Sequence, residues 1–257
     1  MVVYAGQGDP RRSIELLWRG AAETRRPGSK PALSVDAIVD AAIAVADEQG
    51  LAFSMRAVGE RLGRTAMALY TYVPGKNELV DLMYDRALAG LPGSYSLDEG
   101  WRAAVTRWAH DTWECYVRHP WVLQVSQARP VLGPHEFATT EALAAILVST
   151  GLPGRRLRGI AGALHYFVRG AAQTVAEARA ASGATGEADE EWWYARSAVL
   201  VELEPDLEKK YPMLHVLEHD REPADPELPY LENDAMENFR VGLRVLLDGV
   251  EAAVTQP

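Results

Sequence analysis

The sequence predicts an all-α protein. Apolar residues recur at three- and four-residue spacing along every long segment, no stretch sustains the period-two alternation of a half-buried strand, and glycine or proline signals separate one periodic segment from the next.

Residues 1–33 form a basic N-terminal extension. It holds one short amphipathic candidate, RRSIELLWRG, with Ile14, Leu17 and Trp18 on one side, followed by a basic, turn-rich linker, RRPGSKP. Ser34 caps the first clear helix, on which Val35, Ile38, Val39, Ala42, Val45 and Ala46 share a face, and Gly50 closes it. Ser54 caps a second, shorter helix that reaches Leu62 and stops at Gly63. Thr65 opens a third that ends near Tyr72, and Pro74-Gly75 turns the chain into a long fourth helix carrying Leu79, Leu82, Met83 and Leu88. Beyond Pro92-Gly93 the spacing predicts helices at 97–118, 120–129, 135–150, 153–181, 187–210 and 230–254, with an acidic, proline-rich loop at 220–229. A composition shift near residue 91 separates a head, 34–91, from a larger body, 92–257.

Bulk composition narrows the function classes. No run approaches the ~18 consecutive apolar residues of a membrane-spanning helix, and the densest, Ala142 to Val148, is far shorter. The N-terminus lacks the apolar core of a signal peptide. A single cysteine, Cys115, cannot form an intrachain disulfide, so a cytoplasmic protein is expected. The net charge of −10 argues against nucleic acid, but its distribution does not. Residues 1–76 carry ten Lys and Arg against eight Asp and Glu, whereas the remainder carries 16 against 28: a mildly basic head on a strongly acidic body.

The stretch GRTAMALYTYVPGK gives that asymmetry a use. Two short helices joined by a glycine turn, Ser54–Leu62 and Thr65–Tyr72, have the dimensions of a helix-turn-helix, whose second helix lies in the DNA major groove. That helix needs an exposed face of donors, acceptors and methyls, which Arg64, Thr65, Met67, Tyr70 and Thr71 supply, while Leu69 and Val73 pin it to Val58 and Leu62. Lys76 stands where a cation and the free N–H groups of a helix start can grip a phosphate together. The same dimensions also occur in helical bundles that never meet DNA, where the polar face is simply solvated.

From Leu33 to Met83 the chain resembles the DNA-binding domain of tetracycline-repressor-like (TetR family) regulators. The resemblance rests on the joint pattern Ala41-Ala42, Gly50, Ser54-Met55-Arg56, Val58-Gly59, Leu62-Gly63, Leu69-Tyr70, Tyr72-Val73 and Lys76-Asn77-Glu78-Leu79. It implies that Ser54 and Arg56 on the second helix reach a base edge or phosphate, and that Arg64, Thr65, Ala66 and Met67 lead the recognition helix. It also implies that Tyr70, Thr71 and Tyr72 meet the backbone and that Lys76 clamps a phosphate. Two departures are Gly75, where the family often caps with Ser, Asn or Asp, and Arg64, where many members carry a small apolar residue. Arg64 either adds a phosphate or guanine contact or is solvated.

Residues 94–257 resemble, in pattern and length, the ligand-binding and dimerisation half of the same family. The resemblance implies a homodimer joined through helices near 155–180 and 232–250, operator DNA and a small-molecule effector as partners, and no cofactor or metal. Aromatic density favours an effector cavity: Trp101, Trp108, Trp113, Tyr116 and Trp121 fall within twenty-one positions. The expected lining is Trp108, Thr112, Trp113, Tyr116, Trp121, His165, Arg169 and Gln173, each of them also a plain candidate for core packing. The tetracycline-type branch holds a metal-bound drug partly through a histidine before an Arg-Pro pair. VSQARP at 125–130 lacks one, so tetracycline–magnesium is not implied.

The rival reading is an enzyme. His110-Asp111 and His219-Asp220 resemble the His-Asp pairs of metal-dependent phosphohydrolases, and Glu114 lies one turn after His110. A working site needs further ligands that the sequence does not offer, and no nucleophilic triad or phosphate loop stands out.

Overall fold

A computed structural model describes residues 3–19, 33–219 and 228–255. The linker at 25–31 and most of the loop at 220–229 lie outside the described residues. The chain begins with a two-residue strand, β1 (Val3–Tyr4), and helix α1 (Pro10–Arg19). The head follows: α2 (Val35–Gln49), a 3₁₀ turn (Gly50–Ala52), α3 (Met55–Arg61), α4 (Ala66–Tyr70) and α5 (Lys76–Leu88).

Hydroxyl caps set the head helices in place, as the sequence predicts. Ser34, Ser54 and Thr65 accept the N–H groups of Ala37, Ala57 and Ala68 at 3.1, 3.1 and 3.3 Å. Gly63, at φ +64, makes the left-handed step between α3 and α4. Gly59 permits the close crossing of those helices, since a Cβ there would lie 2.7 Å from the Arg64 carbonyl oxygen. Val58, Leu69 and Val73 are fully buried beneath them together with Ile38 and Ala42.

The body comprises α6 (Gly100–Arg118), a 3₁₀ turn (Pro120–Gln124), β2 (Val125–Ser126), α7 (Pro134–Val148), α8 (Gly154–Thr185), α9 (Asp189–Leu203), α10 (Leu207–Lys210), α11 (Pro212–His219) and α12 (Tyr230–Thr255). Helix α8 packs against both α6 and α12. Phe239 of α12 stacks between Trp113 and Phe167, with ring centroids 5.7 and 5.8 Å away.

Two expectations are corrected, and one helix is new. The helix expected at 120–129 is a single 3₁₀ turn followed by β2, which pairs in parallel with β1. Arg169 Nη2 donates to the carbonyls of Leu123 and Val125, the acceptors an α-helix would have used there. The helix expected at 187–210 breaks after Leu203, because Pro205 has no N–H and forces Glu204 out of helical geometry (φ −128, ψ 71). Helix α11 was not anticipated.

Helix α5 is enclosed: nine of its thirteen residues are buried, so head and body close on opposite sides of one helix. Two of the nine are acids. Both carboxylate oxygens of Asp81 face the N–H of Gly6, at 3.2 and 3.1 Å. Asp85 Oδ1 accepts the N–H groups of His135 and Glu136, both at 2.9 Å, and so caps α7 from a neighbouring helix. Burial pushes both carboxyls up, Asp81 to about 6.

The crossing at Gly59 predicts that Gly59→Ala destabilises the head by about 1–3 kcal/mol through overpacking, read as a fall in the denaturation midpoint. The raised Asp81 carboxyl predicts a pH dependence. Its folded value lies above its ordinary 3.8, so the ionised form is penalised at neutral pH, and the penalty is relieved as pH falls through about 6. Asp81→Asn keeps an acceptor for Gly6 and should therefore be more stable than wild type at pH 8. Chemical denaturation at several pH values should show that gap closing between pH 6 and 4.

Candidate functional site

The head presents a polar, solvent-facing surface on α3 and α4. Arg64, Thr65, Met67, Tyr70 and Thr71 are exposed, Met67 to 76%, while Ala66 and Tyr72 are half-buried. Ser54 and Arg56 are exposed on α3, with Arg56 Nε 2.7 Å from Glu60 Oε1. An exposed pair one helical turn apart is worth little in water, so Arg56 can exchange Glu60 for a phosphate at small cost. The hydroxyl oxygens of Ser54 and Thr65 already accept backbone N–H groups as caps, which leaves their O–H protons to donate.

Lys76 stands differently from the expectation of a phosphate clamp. Its ammonium donates to the carbonyls of Leu51 and Phe53, at 2.7 and 2.6 Å, and lies 4.6 Å from the Phe53 ring centroid. Burial lowers its pKa. Two of its three donors are thus committed to the turn before α3, and hydrogen bonds from a charged donor contribute about 1.5–3 kcal/mol each. Lys76 fastens the helix-turn-helix to the start of α5. The Gly75 cap, without a side chain, is compatible with this arrangement.

A second tie joins head to body. Asp47 Oδ1 on α2 accepts the indole N–H of Trp121 at 2.8 Å and lies 2.8 Å from His119 Nδ1. Trp121 is fully buried at this contact.

The body encloses a cavity of about 330 Å³ between α5, α6, α7, α8 and the segment 125–131. Of the expected lining residues, Trp108, Thr112, Tyr116 and His165 are there. Four are elsewhere. Trp113 stacks on Phe239, Trp121 serves Asp47, and Arg169 holds the carbonyls of Leu123 and Val125. Gln173 is exposed and bonds to Glu177. Sequence reasoning missed Tyr84 and Leu88, contributed by α5, together with Gln127, Arg129 and Glu136. Of these only Gln127 and Arg129 carried a signal, since they lie in the VSQARP stretch.

The cavity's polar groups are mostly uncharged. Burial, reinforced by the nearby Arg169 cation, lowers His165 to about 4, so its imidazole is neutral at pH 7. Burial raises Tyr84 to about 12 and raises Tyr116 as well, and the Gln127 side chain hydrogen-bonds to both phenols. Thr112 is 4% exposed, and its hydroxyl oxygen lacks a hydrogen-bond partner. An unsatisfied hydroxyl on a cavity wall is suited to meet a ligand.

The enzyme reading finds no support. His110 packs edge-on against Phe239, its ring centroid 5.2 Å away, and Asp111 bonds to Tyr95. Among the described residues no three His, Cys, Asp or Glu side chains are gathered to hold a metal. Asp220 lies outside the described residues. Among the described residues, too, no helix is long and apolar enough to cross a membrane.

Comparisons with known proteins agree with this geometry. Residues 38–83 match the family of bacterial regulatory proteins of the tetR type, and residues 96–254 match the tetracycline-repressor-like C-terminal domain. The chain is 38% identical over 259 residues to the HTH-type transcriptional repressor DrrR1 of Streptomyces coeruleorubidus, covering 98% of this chain and 89% of that protein. It is 28% identical over 143 residues to an HTH-type transcriptional regulator of Saccharopolyspora erythraea, covering 55% of this chain and 61% of that one. Among solved structures, ActR of Streptomyces coelicolor in complex with actinorhodin superposes with a TM-score of 0.66 at 24% identity, over 87% of this chain and 99% of ActR. Apo ActR gives 0.67 at 21% identity, over 89% and 99%. With both halves of the chain matched and a relative similar over nearly its whole length, the protein belongs to the TetR family of DNA-binding transcriptional regulators.

Proposed function

We propose that this protein is a repressor whose α3–α4 surface reads a palindromic operator as a homodimer and is released when a small aromatic molecule occupies the body cavity. The observation that carries this reading is the double duty of α5. Tyr84 and Leu88, near its end, line the cavity, while Lys76, at its start, holds the turn that leads into α3. An occupant that displaces the end of α5 therefore moves the recognition helix. The effect is limited by the effector's preference for one arrangement over the other.

The cavity supports a class of effector. Neutral donors and acceptors (two phenols, an imidazole, a threonine hydroxyl) on an aromatic and aliphatic wall suit a planar ring system carrying hydroxyl or keto groups. ActR binds actinorhodin, and that compound is the first to test here.

Dimerisation through α8 and α12 is supported by an apolar groove lined by Ile160, Ala163, Val245, Leu246 and Gly249, with Val245 62% exposed. Helix α9 has no buried residue and exposes Trp193, Tyr194 and Val201, as a helix awaiting a second subunit would. The division at residue 91 into head and body, and a cytoplasmic location, belong to the same proposal.

The primary experiment is binding to the intergenic DNA beside the protein's own gene, searched for an inverted repeat. Affinity should fall steeply with salt, and Arg56→Ala should flatten the log–log slope by about 2 per dimer, one phosphate per subunit. A slope unchanged in that variant removes Arg56 from the phosphate contacts. For the cavity, Thr112→Val deletes the unpartnered hydroxyl. It should leave stability unchanged or raise it by up to about 1 kcal/mol and leave operator affinity intact, while weakening the binding of an effector such as actinorhodin several-fold in fluorescence titration. Equal binding by both proteins would mean that the hydroxyl faces no ligand.

A further inference from the structure

Residues 1–33 lie outside both family matches, yet residues 3–19 are docked at three points, on α5 and on the two ends of the segment 125–132. At the first, β1 pairs with β2, Val3 opposite Val125 and Tyr4 opposite Ser126, and Ala5 is buried beside them. At the second, the Gly6 N–H meets the Asp81 carboxylate, and Gly8 lies against the Glu78 side chain. At the third, Leu16 and Leu17 enter a crevice between α2, α5 and α7, and the Trp18 indole N–H donates to the Leu132 carbonyl at 2.9 Å. The Trp18 ring also packs 5.9 Å from that of Phe137.

These anchors bracket one piece of chain. The segment 125–132 supplies Gln127, Arg129 and Val131 to the cavity wall; the N-terminal residues hold its first end through β1 and its last through Trp18, and Gly6, just after β1, is tied to α5 through Asp81. Leu132 sits at φ +64, a left-handed conformation that a leucine keeps only where its surroundings impose it. Trp18 takes its carbonyl and Glu136 takes its N–H at 2.7 Å. The anchors are also few and shallow. The strand pairing is two residues long, Tyr4 and Trp18 are half exposed, and the buried Ser13 hydroxyl has no partner. Segments held this weakly open locally without global unfolding.

We propose that residues 3–19 form a detachable strap that keeps the 125–132 wall of the cavity closed, so that a small molecule gains access through this wall when the strap lets go. Because the strap also grips α5, its release is felt at the helix that carries the head. The inference concerns the cavity proposed above for the effector, but its test needs neither effector nor operator, so its failure leaves that reading standing.

The test places a thiol inside the cavity with Thr112→Cys and follows alkylation by N-ethylmaleimide. The native Cys115, buried and outside the cavity lining, serves as an internal reference. In that background Trp18→Ala removes the hold on Leu132 and Phe137 at the third anchor, and Gly6→Pro removes the N–H that Asp81 accepts. Each should speed alkylation of the introduced thiol about tenfold, with Cys115 unchanged, and should speed hydrogen exchange of the 125–132 amides. An unchanged rate at the cavity thiol in both variants overturns the proposal. So does an equal rise at Cys115, which would report general loosening.

Discussion

Helix α5 must satisfy two cores at once, and the rest of the structure depends on how it does so. A surface helix needs one apolar stripe, but α5 has the head on one side and the body on the other, with few positions left for solvent. Its first residue holds the turn before α3, and its last turn is part of the cavity. No other described element belongs to both the helix-turn-helix and the cavity. A rigid rod fixed at both ends converts a displacement at one into a reorientation at the other, without any new chemistry in between.

The cost of such enclosure is that polar side chains on α5 lose water. Asp81 and Asp85 are both 4% exposed, and each is compensated by backbone N–H groups from a different part of the chain: Gly6 for one, the start of α7 for the other. The compensation is incomplete, since both carboxyls remain raised by desolvation. These two acids are therefore the weak points of the joint between head and body, and also what gives it direction. They specify which backbone groups must lie beside α5, which an apolar contact would not.

The cavity follows a related logic. Its wall contains a histidine held neutral, two phenols held protonated and a threonine hydroxyl left without a partner. The Arg169 guanidinium sits behind Tyr116, 5.9 Å from its ring centroid, and is turned onto the backbone of Leu123 and Val125. The Arg169 charge serves the wall's architecture, while Arg129 and Glu136 join the neutral groups on the lining.

The sequence by itself determined the local features. Caps at Ser34, Ser54 and Thr65, the glycine step at Gly63 and the buried pair Leu69 and Val73 depend on neighbours within a few residues, so spacing and residue type were enough to read them. Half of the expected cavity lining was legible for the same reason: Trp108, Thr112 and Tyr116 share a helix, and His165 carries an unusual side chain for an apolar face. Tertiary structure alone decided the remainder. Whether Lys76 meets a phosphate or two carbonyls depends on where the turn at Leu51 to Phe53 lies. Whether Trp121 lines a cavity or donates to Asp47 depends on a residue 74 positions away. The extension read as a separate basic segment is docked on α5 and on Leu132 because Gly6 and Trp18 find acceptors 75 and 114 positions along the chain. Such pairings depend on how helices from distant segments stack, and periodicity within one helix carries no record of them.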